Sequence, residues 1–338
     1  MKLSDFDYEL PEELIAQEPL PDREGSRMLV LPREEGEVVH GHFRDLPRYL
    51  RPGDRLVLND TRVMPARLLG QKVPTGGRVE ILLLEQRGED LWEAMVRPGR
   101  RLRQGSEVSI GDGRLRCRIE GSSPAGYRLV RFFYAGDFEA LLRELGETPL
   151  PPYIHKPLED GERYQTVYAR REGSAAAPTA GLHFTLGMLE RLKASGIGLT
   201  FITLHVGAGT FRPVKSEDPT EHEMHEEYFE VSEAAAREIN ETPGRVVAVG
   251  TTVVRALESA ADETGAVRPM RGRTDLFIYP GYRFRVIEGL LTNFHLPRST
   301  LLMLVAAFVG RERMLDAYRE AVERRYRFYS FGDCMLII

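Results

Sequence analysis

Apolar residues in this chain fall into short runs whose spacing changes twice. Near the start, Met28 to Leu31 and Arg55 to Leu58 are runs of buried-strand length. After Thr61 come brief strand-like stretches at 78–84, 91–96, 107–110, 115–119 and 127–133. They are separated by Gly76-Gly77, Pro98-Gly99, Gly105, Gly111-Asp-Gly113 and Gly121. Many short strands with glycine turns predict an antiparallel barrel or sandwich rather than βαβ units. Helical spacing from Phe138 to Gly146 ends before four prolines between Pro149 and Pro157.

Beyond that point helices and strands alternate. Thr185 caps a helix to about Ser195, with Gly196 in the left-handed position after it. Leu199 to Val206 reads as a strand, and Ser232 caps a helix through Asn240. Arg245 to Val249 reads as a strand turning at Gly250 into a helix from about Val253 to Ala261. A strand at Asp275 to Tyr279 and helices at Leu301 to Val309 and Glu312 to Arg325 complete the pattern. The fold expected is a discontinuous α/β domain, residues 1–61 and 151–338, carrying an inserted antiparallel β-barrel at 62–150.

A chain of 338 residues, 42% hydrophobic, has enough apolar material for two such cores. No uncharged run approaches the roughly 20 residues of a membrane helix, and Met1 to Leu14 lacks the apolar stretch of a secretory leader. Cys117 and Cys334 are too few for a disulfide framework or an all-cysteine metal site, so a reducing, cytoplasmic setting is expected. The formal net charge of −5 hides a segregation. Arg62 to Arg131 holds 14 Lys or Arg against 8 Asp or Glu, leaving the rest with 32 against 43 of the chain's 46 and 51. In this basic block Arg62, Arg67, Lys72, Arg97, Arg100, Arg101 and Arg103 are candidates for phosphate contact, or else a solvated face. Trp92, Phe132 and Phe133 have strand spacing and read as core.

Two glycine segments could hold a ligand. Val206-Gly-Ala-Gly-Thr210 follows a strand, so Gly207, Gly209 and Thr210 either present amides and a hydroxyl to a ligand or make an ordinary tight turn. Gly250-Thr251-Thr252 sits at a helix start, either as an anion site or as a plain cap. His222-Glu-Met-His225 has its histidines three apart, which does not match the zinc-protease spacing, and no metal is expected.

Several rarer strings then carry a resemblance. Leu58-Asn-Asp-Thr-Arg-Val63, Ala175-Ala-Ala-Pro-Thr-Ala-Gly-Leu-His-Phe184, His205-Val-Gly-Ala-Gly-Thr-Phe211, Val249-Gly-Thr-Thr252, Thr274-Asp-Leu-Phe-Ile278 and Leu291-Thr-Asn-Phe-His-Leu-Pro297 occur in order along the chain. Together they resemble the bacterial S-adenosylmethionine:tRNA ribosyltransferase-isomerases of the queuosine pathway over the whole length. The resemblance implies a tRNA carrying 7-aminomethyl-7-deazaguanine at the wobble position as partner. It also implies S-adenosylmethionine consumed as substrate, with epoxyqueuosine-tRNA, adenine and methionine as products. No prosthetic group and no metal are expected, and the enzyme is expected to be a monomer. Proton transfer near neutral pH suits His183, His205, His225 or His295, with Asp60 and Asp275 orienting them or binding sugar hydroxyls. An RNA methyltransferase would use the same donor, and adenine as product with no methylated RNA separates it from the first reading; a non-catalytic RNA-binding barrel would need no S-adenosylmethionine at all.

Overall fold

Arg55–Asn59 is the strand on which the larger unit is organised. Leu56, Val57 and Leu58 are completely buried, so both faces of the strand are covered, as parallel strands require. The structure is a computed structural model that describes residues 1–124, 126–207, 217–222 and 224–338. In it, this strand pairs in parallel with Gly198–Leu204 on one side and Val246–Val249 on the other. Gly289–Asn293 continues the parallel set, and Cys334–Ile337 then joins antiparallel. Arg27–Leu31 and Val39–His42 complete one edge of the nine-stranded sheet, Glu227–Val231 and Met270–Thr274 the other.

Polar side chains register the two ends of the central strand. At its start, the buried Asp54 carboxylate accepts from the amides of Arg51 (2.9 Å) and Arg245 (2.9 Å) and from the Arg245 guanidinium (2.6 Å). The Asp54 carbonyl takes the Gly198 amide at 2.8 Å, so three parallel strands start from one residue. At the other end, Asn59 is fully buried; its Oδ1 accepts from the Leu204 amide (3.0 Å) and the Thr61 amide (3.1 Å), and its Nδ2 donates to the Leu204 carbonyl (2.9 Å). The helices Leu186–Ala194, Glu233–Asn240, Thr251–Ala260, Thr300–Val309 and Arg311–Glu323 belong to this unit. Thr185, Ser232 and Ser299 cap three of them as hydroxyl N-caps. Met188 and Leu192 join Leu56, Leu58, Phe43 and Phe184 in the core.

The smaller unit is a closed barrel. Arg67–Val73, Arg78–Gly88, Leu91–Arg97, Arg128–Tyr134, Leu115–Ser122 and Glu107–Ile110 follow one another around it, and the last pairs back to the first. Gly70 lies at that closure: a Cβ there would stand 2.7 Å from the Ser109 carbonyl oxygen and 2.8 Å from Ile110, so a larger residue would wedge the seam open. Leu68, Ile81, Leu83, Val108, Ile119 and Val130 fill the interior. Trp92 and Phe132 are buried, but Phe133 is not. Strand alternation turns its ring outward, where the Arg118 guanidinium lies 5.5 Å from it.

The two units divide at Arg62/Val63 and Leu150/Pro151, so Arg62 belongs to the α/β unit and not to the barrel. Glu172–Ala176 groups with the barrel rather than with the α/β unit. Over the whole barrel unit the basic excess shrinks to 14 Lys or Arg against 13 Asp or Glu, because Asp137, Glu139, Glu144, Glu147 and Glu172 come with it. The strand expected at Asp275 to Tyr279 is absent. The pairing segment is Met270–Thr274, just before it, a polar edge strand held through its backbone and therefore silent in the hydrophobic pattern. Among the described residues no helix is long and apolar enough to cross a membrane. Both cysteines are free and buried.

Burial would raise the Asp54 carboxyl, but the bonds from Arg245 and Arg51 outweigh it and hold it below the ordinary carboxylate range. Its charged form therefore supports the fold above its unfolded pKa of about 4, and that support is lost as pH falls through the lower folded value. Asp54→Asn should lower the free energy of urea unfolding at pH 7 by about 3 kcal/mol. The acid limb of the stability curve should flatten in the same variant.

Candidate active site

The parallel strands Val246–Val249 and Gly289–Asn293 end side by side, and the site grows from those ends. Gly250 follows the first with φ of +92°, a turn that favours glycine, and donates to the Leu291 carbonyl at 2.8 Å. The helix Thr251–Ala260 starts at once and has no side-chain cap. Its first amides, at Thr251 and Thr252, thus face the space beyond the strand ends. Thr292, Asn293, Phe294 and His295 close the second strand. With Ala177 to Ala180, Val206, Tyr329 and Ser330 they line a cavity of about 90 Å³. No Asp, Glu, Lys or Arg is among its described lining residues.

Asn293 is 2% exposed, and its amide is oriented unambiguously. A carbonyl can only accept, so the atom 3.0 Å from the Tyr329 carbonyl is the donor Nδ2, which also reaches His183 Nε2 at 3.4 Å. Oδ1 is left buried without a hydrogen-bond partner. His183 Nε2 consequently accepts, and Nδ1 carries the proton that it shares with Ser26 Oγ at 2.9 Å. Burial, with Arg23 and Arg327 nearby, pushes the His183 pKa down to about 4. His295 Nε2 lies 2.8 Å from Thr292 Oγ1, the Tyr318 hydroxyl accepts its amide, and burial lowers its pKa to about 3. Desolvation disfavours the imidazolium of both rings, which weighs against the proton-transfer role considered for them.

His205 and Asp60 come together elsewhere. His205 Nδ1 is 2.8 Å from Thr61 Oγ1, and its ring stacks on Tyr228. Asp60 accepts from Thr203 Oγ1 (2.6 Å) and Arg170 Nε (2.6 Å), and Glu230 pairs with Arg171 and Arg271 close by. Burial lowers the His205 pKa and Asp60 opposes the shift. Thr203 and His205 lie on the alternate positions to Leu204 and Val206, so the ring faces this charged cluster while Val206 lines the cavity. His225 and Asp275 are exposed.

The glycine turn fares differently from Gly250-Thr251-Thr252. The Gly207 amide is not free for a ligand, since it donates to Glu227 Oε1 at 2.8 Å, and Glu227 is held by the buried Arg255. Gly209 and Thr210 lie outside the described residues. In the basic block Arg62 pairs with Glu162, and Arg67 with Glu80 (2.9 Å) and Glu147 (2.6 Å), which occupies both guanidinium groups. Arg97, Arg100, Arg101 and Arg103 are exposed and have no carboxylate partner among the described residues. Arg128 fixes the loop beneath them by donating to the Gly99 and Leu102 carbonyls, both at 3.1 Å. No group of three His, Cys, Asp or Glu among the described residues could hold a metal ion.

A sequence profile of the queuosine biosynthesis protein family matches residues 3–337. The chain belongs to this family. A protein from Symbiobacterium thermophilum named S-adenosylmethionine:tRNA ribosyltransferase-isomerase is 59% identical over the full length of both chains. A relative of the same name from Halothermothrix orenii is 57% identical, again over both full lengths. The crystal structure of S-adenosylmethionine tRNA ribosyltransferase from Thermotoga maritima aligns with a TM-score of 0.56 at 41% identity, covering 99% of this chain and 100% of that one. As a queuosine biosynthesis protein the chain is an enzyme, with an α/β domain and an inserted barrel.

Within this queuosine biosynthesis protein, sequence reasoning did not single out Asn293, Thr179, Tyr329 or Ser330. Thr292-Asn293 gave one usable signal: two polar residues that end an apolar strand, where buried amides have to find partners. The tautomer inferred for His183 is measurable. Ring nitrogen NMR should show His183 and His295 neutral from pH 8 to pH 5, with His183 protonated only at Nδ1.

Proposed function

We propose that this chain is an S-adenosylmethionine:tRNA ribosyltransferase-isomerase. It transfers the ribosyl part of S-adenosylmethionine to the aminomethyl nitrogen of 7-aminomethyl-7-deazaguanine at the tRNA wobble position, and rearranges it to the epoxycyclopentanediol of epoxyqueuosine. Adenine and methionine leave. The observation that carries this reading is 59% identity, over the full length of both chains, to a protein of that name. The reaction fits a reducing cytoplasm and a monomeric enzyme. It consumes its donor and calls for no metal, because the cationic sulfur already supplies the electrophilic activation.

The donor is assigned to the cavity at Gly250, Thr251 and Thr252. The uncapped helix start and the buried Asn293 acceptor support this, and so does the position at the ends of parallel strands. The sulfonium acidifies the adjacent carbon–hydrogen bonds, so a base must take a proton. His205 is assigned that role: Asp60 beside it favours the protonated ring, whereas at His183 and His295 no carboxylate opposes the effect of burial. The tRNA backbone is assigned to the unpaired arginines of the loop from Arg97 to Arg103.

Incubation with precursor-bearing tRNA and S-adenosylmethionine should release adenine and yield epoxyqueuosine. Methylated RNA without adenine would overturn the reading. His205→Asn should slow single-turnover adenine release by about 100-fold while both substrates still bind; an unchanged rate would remove it as proton carrier. Replacing Arg100, Arg101 and Arg103 by glutamine should weaken tRNA binding and reduce the slope of log affinity against log salt by about 2 to 3. An unchanged slope in the folded variant would exclude the loop.

A further inference from the structure

We propose that Asn293 reads the exocyclic amine of the donor's adenine, accepting its N–H through Oδ1. The inference rests on the assignment of S-adenosylmethionine to this cavity and goes further, naming which end of the molecule enters and what recognises it.

Three observations carry it. Asn293 lines the cavity, and both protons of its amide are committed, to the Tyr329 carbonyl and to His183 Nε2. Oδ1 is therefore a fixed acceptor, buried and without a partner. Such an atom costs free energy until a donor meets it, which makes it selective for a ligand that brings an N–H. Second, no side chain that is charged at neutral pH occurs among the described lining residues. S-adenosylmethionine has two kinds of N–H: an ammonium on the methionine end and a neutral amine on the purine. Burying the ammonium against a single neutral carbonyl, with no carboxylate in reach, would be unfavourable. A neutral amine meets no such penalty. Third, the walls from Ala177 to Ala180, together with Val206, Phe294 and Tyr329, are largely apolar, which suits a flat aromatic base. The cations of the donor then stay outside the uncharged cavity.

Asn293 is on this view a specificity-determining residue whose orientation is set by the Tyr329 carbonyl and matched by His183. The neutral Nδ1–H tautomer of His183, held by Ser26, keeps Nε2 an acceptor and so keeps Oδ1 pointing away from it.

The test compares equilibrium binding of S-adenosylmethionine with that of its purine analogue, in which hydrogen replaces the exocyclic amine. The unmodified enzyme should bind the analogue about 10- to 100-fold more weakly. In Asn293→Ala the preference should collapse to within about 2-fold, mainly through loss of affinity for S-adenosylmethionine. Equal binding of the two ligands by the unmodified enzyme would overturn the proposal, whether or not the variant folds. Retained preference in a folded Asn293→Ala protein would also overturn it. Thr179→Phe, which fills the cavity, separates this failure from that of the underlying assignment. If Thr179→Phe abolishes donor binding while the unmodified enzyme shows no preference, the donor sits in the cavity but Asn293 does not read it. If Thr179→Phe binds S-adenosylmethionine normally, the cavity assignment itself falls, and the proposal with it.

Discussion

The buried amide of Asn59 is the constraint on which the candidate-site end of the sheet depends. Three backbone groups of two segments, the Leu204 amide and carbonyl and the Thr61 amide, end on one side chain with no water to replace it. Because the residue terminates the central strand, it fixes where Gly198–Leu204 stops and therefore where Val206 meets the cavity. It also sends the chain into Asp60 and Thr61, whose side chains meet Thr203 and His205. Asp54 does the corresponding work at the far end, with a charge instead of an amide. The strands between these two clamps are largely apolar and would otherwise specify register only weakly.

A division of environment follows from that geometry. Successive residues of an extended chain point to opposite sides, so Val206 contributes to an uncharged cavity while His205 faces carboxylates and guanidinium groups. A neutral heterocycle and a proton-transfer group ask for these two surroundings respectively: one excludes charge, the other stabilises it as it develops. One strand end borders both.

Much of the architecture was legible because it rests on local rules. Thr185, Ser232, Gly196 and Gly250 do what their side chains, or lack of them, dictate, and the glycine-punctuated strands do close into a barrel. What escaped has a common cause in partners remote in sequence. Met270–Thr274 is a strand only because Glu227–Val231 lies beside it, and Gly207 loses its amide to Glu227 only because Arg255 holds that carboxylate in place. The histidines show the limit most plainly. Four of them stand inside or beside recognisable strings, but only the folded chain shows that desolvation pushes the pKa values of His183 and His295 down to about 4 and 3, while His205 lies next to a carboxylate. The excess of arginine was visible, but which guanidinium groups are already paired was not.

The place of Cys334–Ile337 matters for how such a chain is made. This strand lies in the interior of the sheet, between Gly289–Asn293 and Arg27–Leu31, so the segment from Arg27 has no neighbour on that side until residue 337 has been synthesised. The barrel strands, by contrast, all lie between Arg67 and Tyr134 and find their partners within that stretch. On the ribosome the inserted barrel can close while the nine-stranded sheet is still open, with the apolar edge of Arg27–Leu31 exposed to the cell's chaperones until Cys334–Ile337 emerges.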